Sequence, residues 1–289
     1  MKEINISRSV KVAILLLCQL VISSLAPIAS SFLDSYARII AVKLIYAASF
    51  VLPYLLWIRV FRPIGSSRKK RHVCEYKLPA FFVAFAAIVA SLQVNIVMIE
   101  LLGIKMSGES SMPDGFFGFL FSFLLYAVIP SVSEELFSRG AVIRAAGTGI
   151  RAAVFSGVIF GLCHFNPYQL IYSVAAGIIL SVLYLYTGDV KLAFGLHFAV
   201  NTVVLVLSYV SRICSVGVYM AIESCTWLLI LALGVYYSYR MLCDHQIALG
   251  EKTKELKKNQ VDMTVGEMLC APMIVIYVII IAVTVLRYV

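Results

Sequence analysis

Apolar residues in this chain come in long, nearly unbroken blocks separated by short polar or charged stretches. The blocks lie at 10–33, 39–61, 78–102, 116–146, 151–165, 168–187, 192–210, 216–242 and 267–289. A helix rising 1.5 Å per residue needs about 20 residues to cross a hydrocarbon core of about 30 Å. Most of the blocks meet that length, and the backbone of each is then satisfied within its own helix. The pattern predicts an all-α fold, a polytopic transmembrane helical bundle of about eight to nine spans. A transmembrane barrel would show weak alternation in segments of about 10 residues, which is absent.

Three blocks carry further information. The first follows Lys2, Arg8 and Lys11 and resembles a signal peptide in its basic start. It is longer than the usual signal core of about 7–15 residues and is read as a retained span. The block 116–146 would form a helix of roughly 45 Å, too long to stand upright, so a tilt or a bend at Pro130 is expected. The block 151–165 is short and stops at Asn166-Pro167, a helix-breaking pair. Within it Ala153, Gly157 and Gly161 recur every four residues, a spacing that lets two helix backbones approach closely.

Composition agrees with this reading. Of 289 residues, 62% are hydrophobic and 13% charged, and mean hydropathy is +0.96. A soluble domain is about 45–50% apolar and about 25% charged. The net charge of +9 does not point to nucleic acid, because the basic residues sit in short loops between apolar blocks. There they act as orientation signals and contacts to membrane lipids. With nine crossings and the N-terminus in the cytoplasm, 19 of the 24 lysines and arginines fall on the cytoplasmic side. The largest cluster is Arg59 to Lys77, and the segment 243–266 adds Lys252, Lys254, Lys257 and Lys258. The seven cysteines are scattered and form no C-x-x-C pair, so neither a disulfide framework nor a zinc knuckle is indicated. No internal repeat is present, and the chain reads as one membrane domain, 1–289.

Ionisable residues at membrane depth are costly, about 2.5–3.5 kcal/mol each at a span centre on insertion scales, and by default suggest function. They concentrate between Pro130 and Asn201. Glu135 and Arg139 are four apart, share a helix face and can pair, whereas Glu134 points about 100° away without that local partner. Phe160-x-x-x-His164 places an imidazole on the next block, and His197-x-x-x-Asn201 places an imidazole and an amide on one face of another. Each could be packing or an interhelical hydrogen bond. Counted from the cytoplasmic helix ends, Glu134 and His164 lie roughly 18 and 20 Å in, and His197 and Asn201 roughly 9 and 15 Å. Three helices thus bring polar groups into the same half of the membrane.

The chemistry is narrowed by what is missing. There is no G-x-S-x-G, and no H-E-x-x-H, while Cys163 and His164 are helix neighbours that point apart. Glutamate with two histidines is a known zinc set, so Glu134, His164 and His197 could still bind a metal. A glutamate that takes a proton from water, with a His/Asn pair polarising the carbonyl, is the simpler reading.

The ordered set Glu134-Glu135-x-x-x-Arg139, Phe160-x-x-x-His164 and His197-x-x-x-Asn201 resembles the CAAX protease and bacteriocin-processing family, the CPBP or Abi intramembrane proteases, which includes the type II prenyl-protein protease. Phe137, Gly140 and the run Tyr184 to Gly188 add to the likeness, which covers roughly 116–210. It implies a catalytic core there, flanked by spans 10–102 and 216–289, with helices enclosing an intramembrane cavity open to the cytosol and the lipid. By the same resemblance Glu134 activates water with His164, His197 and Asn201 form the oxyanion site, and Glu135, Arg139 and Phe160 support them. No cofactor is favoured, and zinc is the alternative. The expected partner is a peptide or membrane-protein substrate, and the expected setting a bacterial plasma membrane, in peptide or bacteriocin processing or self-immunity. A non-catalytic peptide-binding immunity or scaffold protein, or a proton-coupled transporter, are the rival readings.

Overall fold

The computed structural model describes residues 7–61, 76–103, 115–245 and 262–286. The basic cluster Arg62 to Arg71, the loop with Lys105, Glu109 and Asp114, the charged run Glu251 to Lys258, and Lys2, Cys74 and Arg287 lie outside these residues. Among the described residues no strand occurs. Within the described residues nine apolar helices follow in order. They are α1 (Arg8–Ser31), α2 (Tyr36–Phe61), α3 (Lys77–Leu101), α4 (Gly115–Ala146), α5 (Ile150–Leu162), α6 (Pro167–Thr187), α7 (Val190–Ile213), α8 (Val216–Cys243) and α9 (Ala271–Leu286).

Seven of these helices are long and apolar enough to cross a membrane, and the chain is a multi-pass membrane protein. The other two, α5 and α9, differ from the expected spans. They have 13 and 16 residues, or about 20 and 24 Å of helix, short of a hydrocarbon core of about 30 Å. Helix α5 ends because the chain turns at Cys163 and His164, and Phe165 adopts a left-handed φ of 49°. The block that holds α9 is divided at Leu269, after a one-turn helix Val265–Met268 that Thr264 and Glu267 close with a capping box.

Prolines shape the long helices. Pro27 has no N–H for the Ser23 carbonyl, and α1 is interrupted at Ser24. In α4 the response to Pro130 is a wide π turn over Leu124–Val128, which moves the preceding carbonyls away from the ring. A second wide turn spans Ser138–Val142. The two acids of α4 sit in the nine-residue α-helical piece between the two turns.

Helices α5 and α6 form the tightest contact, an antiparallel hairpin. A Cβ on Gly161 would come within 2.9 Å of the Val174 backbone nitrogen, and one on Gly157 would collide with the Ile178 backbone. This is the close approach that the four-residue spacing predicted. Elsewhere the interior is closed by large apolar side chains, among them Leu15, Phe50, Phe137, Ile143 and Met273, each nearly fully buried. The outer faces expose Phe32, Phe117, Leu228 and Val235, as a lipid-covered surface should.

Contacts between helix ends sort the bundle into two sides. At one end Lys77 Nζ donates to Asp189 Oδ2 at 2.7 Å, joining the start of α3 to the α6–α7 turn. At the same end Asp262 Oδ1 accepts from the Thr148 and Gly149 amides at 3.0 and 2.6 Å, and the Met263 amide donates to the Ala146 carbonyl. At the other end Asn95 Nδ2 donates to the Tyr168 carbonyl and Asn95 Oδ1 accepts from the Tyr172 amide. Phe119 and Tyr209 pack there as well, 5.1 Å apart. The first end carries Lys11, Arg59, Lys77, Arg144, Arg151 and Lys191, and the second Arg38 and Arg212. Successive helices therefore alternate in direction, and the short α5 still turns the chain round. Asp189 also caps α7 through the Lys191 amide, and its hydrogen bond with Lys77 holds its carboxyl below the usual range.

Replacing Gly161 by leucine should force α5 from α6, an overpacking cost of about 1–3 kcal/mol. Thermal melting of the detergent-solubilised protein should show a lowered midpoint. Gly195→Ala, where nothing lies within 4 Å of the new Cβ, should leave it nearly unchanged.

Candidate active site

Four helices deliver polar side chains to one point inside the bundle. From α4 come Glu134, Glu135 and Arg139, from the end of α5 His164, from α7 His197 and Asn201, and from α2 Tyr46. Both glutamates and Arg139 are at most 3% exposed, so each charge needs a partner in place of water.

Glu135 and Arg139 compensate each other. Arg139 Nε lies 3.1 Å from Glu135 Oε2, though its N–H is not aimed at that oxygen, so the contact is ionic rather than a well-formed hydrogen bond. Arg139 Nη2 donates to the Gly177 carbonyl of α6 at 3.0 Å. The guanidinium also stands 5.3 Å over the Phe160 ring, a cation–π distance. The four-residue spacing of Glu135 and Arg139 thus predicted their pairing, and the structure adds α5 and α6 as their supports.

The other oxygen of Glu135 faces His197, whose Nδ1 lies 3.1 Å from Oε1. A carboxylate paired with Arg139 can only accept, so Nδ1 carries the proton. His164 is fixed in the same tautomer, because its Nδ1 lies 2.7 Å from the Phe160 carbonyl, which also can only accept. Both rings then turn Nε2 inward. His164 Nε2 is 3.6 Å and His197 Nε2 3.8 Å from Glu134 Oε2. That oxygen is buried and, among the described residues, has no hydrogen-bond donor. Three acceptor atoms therefore converge, at separations too long for a direct hydrogen bond. The remaining Glu134 oxygen, Oε1, accepts from the Tyr46 hydroxyl at 3.2 Å.

Phe160 fixes both imidazoles. Its ring centroid is 4.9 Å from that of His164 and 5.7 Å from that of His197, the latter edge-on. Asn201 is held by Ser131, to whose Oγ its Nδ2 donates at 3.3 Å. The amide has a second N–H, and Asn201 lines a cavity of about 630 Å³ with Tyr46, Glu134, His164 and His197. That volume is within the range of ligand pockets, about 300–1,000 Å³.

Glu134, Glu135, Arg139, Phe160, His164, His197 and Asn201 are thus brought together. Their arrangement differs in one respect. His197 and Asn201 were expected to offer two donors side by side, but His197 points its lone pair at Glu134 and is a donor at Nε2 only when protonated. Tyr46, Ser131 and Lys43 were missed. Ser131 is one turn from Glu134 on the same helix and could have been found. Lys43, which also lines the cavity, was counted as an orientation charge although it stands within a span. Tyr46 precedes Glu134 by 88 positions and has no motif to mark it. Among the described residues no group of three or more His, Cys, Asp and Glu side chains is arranged to hold a metal ion.

The bundle thus holds an acid, two oriented imidazoles and an amide around one cavity. Residues 116–203 match the model described as Type II CAAX prenyl endopeptidase Rce1-like, a stretch that runs from the start of α4 to just past Asn201. The match supports a CAAX-type intramembrane protease at the level of the family. No curated protein and no solved structure matches the chain.

Removing Arg139 alone should leave Glu135 as an uncompensated buried charge, at about 3–5 kcal/mol. Arg139→Met should therefore lower the melting midpoint strongly. The double variant Glu135→Gln/Arg139→Met should recover part of that loss, which a purely steric role for Arg139 would not allow.

Proposed function

We propose that the protein is an intramembrane endopeptidase in which Glu134 activates a water molecule for attack on a peptide carbonyl. The observation that carries this reading is Glu134 Oε2, buried on the cavity wall without a donor and facing two Nε2 lone pairs. A water molecule there has acceptors for both of its hydrogens, one on Glu134 and one on His164. Tyr46 holds the other carboxylate oxygen and keeps Oε2 turned to the cavity.

In the reaction the water oxygen bonds to the carbonyl carbon as its proton passes to Glu134. Negative charge develops on the carbonyl oxygen, where the second N–H of Asn201 donates to it. His197 stands beside the site, its Nδ1–H held by the Glu135 carboxylate at 3.1 Å. Collapse of the tetrahedral intermediate breaks the C–N bond, and Glu134 returns its proton to the departing amine. Glu135, Arg139 and Phe160 are positioning residues that act through His197 and His164. The substrate is a peptide or a segment of a membrane protein, as processing, maturation or self-immunity would each require.

Hydrolysis of a quenched fluorogenic peptide in detergent or liposomes tests the assignment. Glu134→Gln should lower the rate by about 10²–10⁴, the range for loss of a general base, while the melting midpoint stays within the range of folded protein. Cleavage should persist with a chelator present. Unchanged cleavage by Glu134→Gln would remove it as the base, and activity lost to chelator and restored by zinc would contradict the metal-free mechanism.

A further inference from the structure

One cation stands in the cavity with no anion against it. Lys43 lies about 10 Å along α2 from its start at Tyr36, half-buried, and lines the same void as Glu134. Among the described residues it is the only lysine or arginine on that wall. A lysine at membrane depth is costly unless something answers its charge. Its Nζ rests 3.9 Å from the centroid of the Tyr126 ring, a cation–π contact between α2 and α4. That contact holds the ammonium in place without neutralising it.

Neither carboxylate on the wall supplies the counter-charge. Among the described residues no Asp or Glu lies within ion-pair distance of Lys43. Glu134 gives one oxygen to the Tyr46 hydroxyl and turns the other to the two imidazoles. Glu223 of α8 accepts from Trp227 Nε1 at 3.4 Å. An ammonium facing a void between low-dielectric walls attracts an anion that enters it. Its place is set by Tyr126, which precedes Glu134 on α4 by two turns, about 12 Å of helix. An extended peptide advances about 3.3–3.6 Å per residue, so a few residues reach from one level to the other.

We propose that Lys43 is a specificity-determining residue, which receives a carboxylate of the bound peptide at a distance from the bond that is cleaved. The carboxylate belongs to an acidic side chain or to the peptide's own C-terminus, since both present the same two oxygens to an ammonium. Tyr126 is a positioning residue that acts through Lys43, its ring face fixing Nζ at the wall. The pairing orients the peptide along the cavity and leaves the chemistry to Glu134. This inference rests on the peptidase reading and adds to it which peptides are preferred.

A series of quenched fluorogenic peptides tests it on the full chain in detergent. One aspartate is placed at each position in turn, beside its asparagine counterpart, and every peptide is made with a free and with an amidated C-terminus. Wild-type protein should cleave the peptide with the recognised carboxylate with kcat/KM about 10- to 100-fold above that of its neutral counterpart, the range for a hydrogen bond to a charged group. The pair that shows this preference identifies the source of the carboxylate. Lys43→Met and Lys43→Gln should lose the preference through KM and cleave the fully neutral peptide as wild type does, whereas Lys43→Arg should keep most of it. Melting midpoints show which variants are folded. No preference in the wild type would overturn the proposal. So would an equal loss on all peptides in Lys43→Met, which would mark the lysine as a counter-charge to Glu134. If wild-type protein cleaves no peptide, the peptidase reading fails, and fluorescence anisotropy of the same peptides then tests Lys43 alone. Lys43→Met should weaken binding of the acidic peptides only, and equal binding by both proteins would overturn the proposal.

Discussion

Two adjacent carboxylates buried at membrane depth are the constraint on which this structure depends. Neither can be left to solvent, and the two are satisfied in opposite ways. Glu135 is neutralised by Arg139, which is anchored in turn to the Gly177 carbonyl and to the face of Phe160. Glu134 has only the Tyr46 hydroxyl on one oxygen and no donor on the other. The first arrangement makes a fixed counter-charge that orients His197. The second leaves an acceptor available to a bound water.

The packing around the pair follows from it. Arg139 can reach Gly177 only if α6 lies close to α4, and Phe160 can back both imidazoles only if α5 lies close to α6. The glycines of the α5–α6 hairpin allow this, because Gly177 stands against Gly157 and Phe160 with no room for a Cβ. Small residues at four-residue spacing thus position the histidines as well as packing two helices. The short α5 has a related consequence: it ends at Leu162, inside the bundle, and the turn that follows delivers the His164 side chain to the cavity wall rather than to the membrane surface.

Much of this was legible in the sequence. The blocks gave the helices, and the i, i+4 spacing gave the Glu135–Arg139 pair. The ordered motifs gave the residues that meet. What was not legible depended on contacts between distant segments. Tyr46 reaches Glu134 from another helix, and nothing in its neighbourhood in the sequence marks it. Hydrophobicity showed that α5 and α9 are apolar, but their ends are set by the left-handed turn at Phe165 and by the break at Leu269. Helical spacing put His197 and Asn201 on one face, yet it could not show that His197 is already engaged by Glu135.

The central claim is that water, activated by Glu134, is the nucleophile. A single turnover in ¹⁸O-labelled water, with enzyme in excess over peptide, tests it directly by mass spectrometry of product and protein. Attack by water should place one ¹⁸O in the new C-terminal carboxylate during that first turnover and leave Glu134 unlabelled. A first product carrying only ¹⁶O, with ¹⁸O appearing in the Glu134 carboxylate, would show that the glutamate itself attacks and would contradict the account.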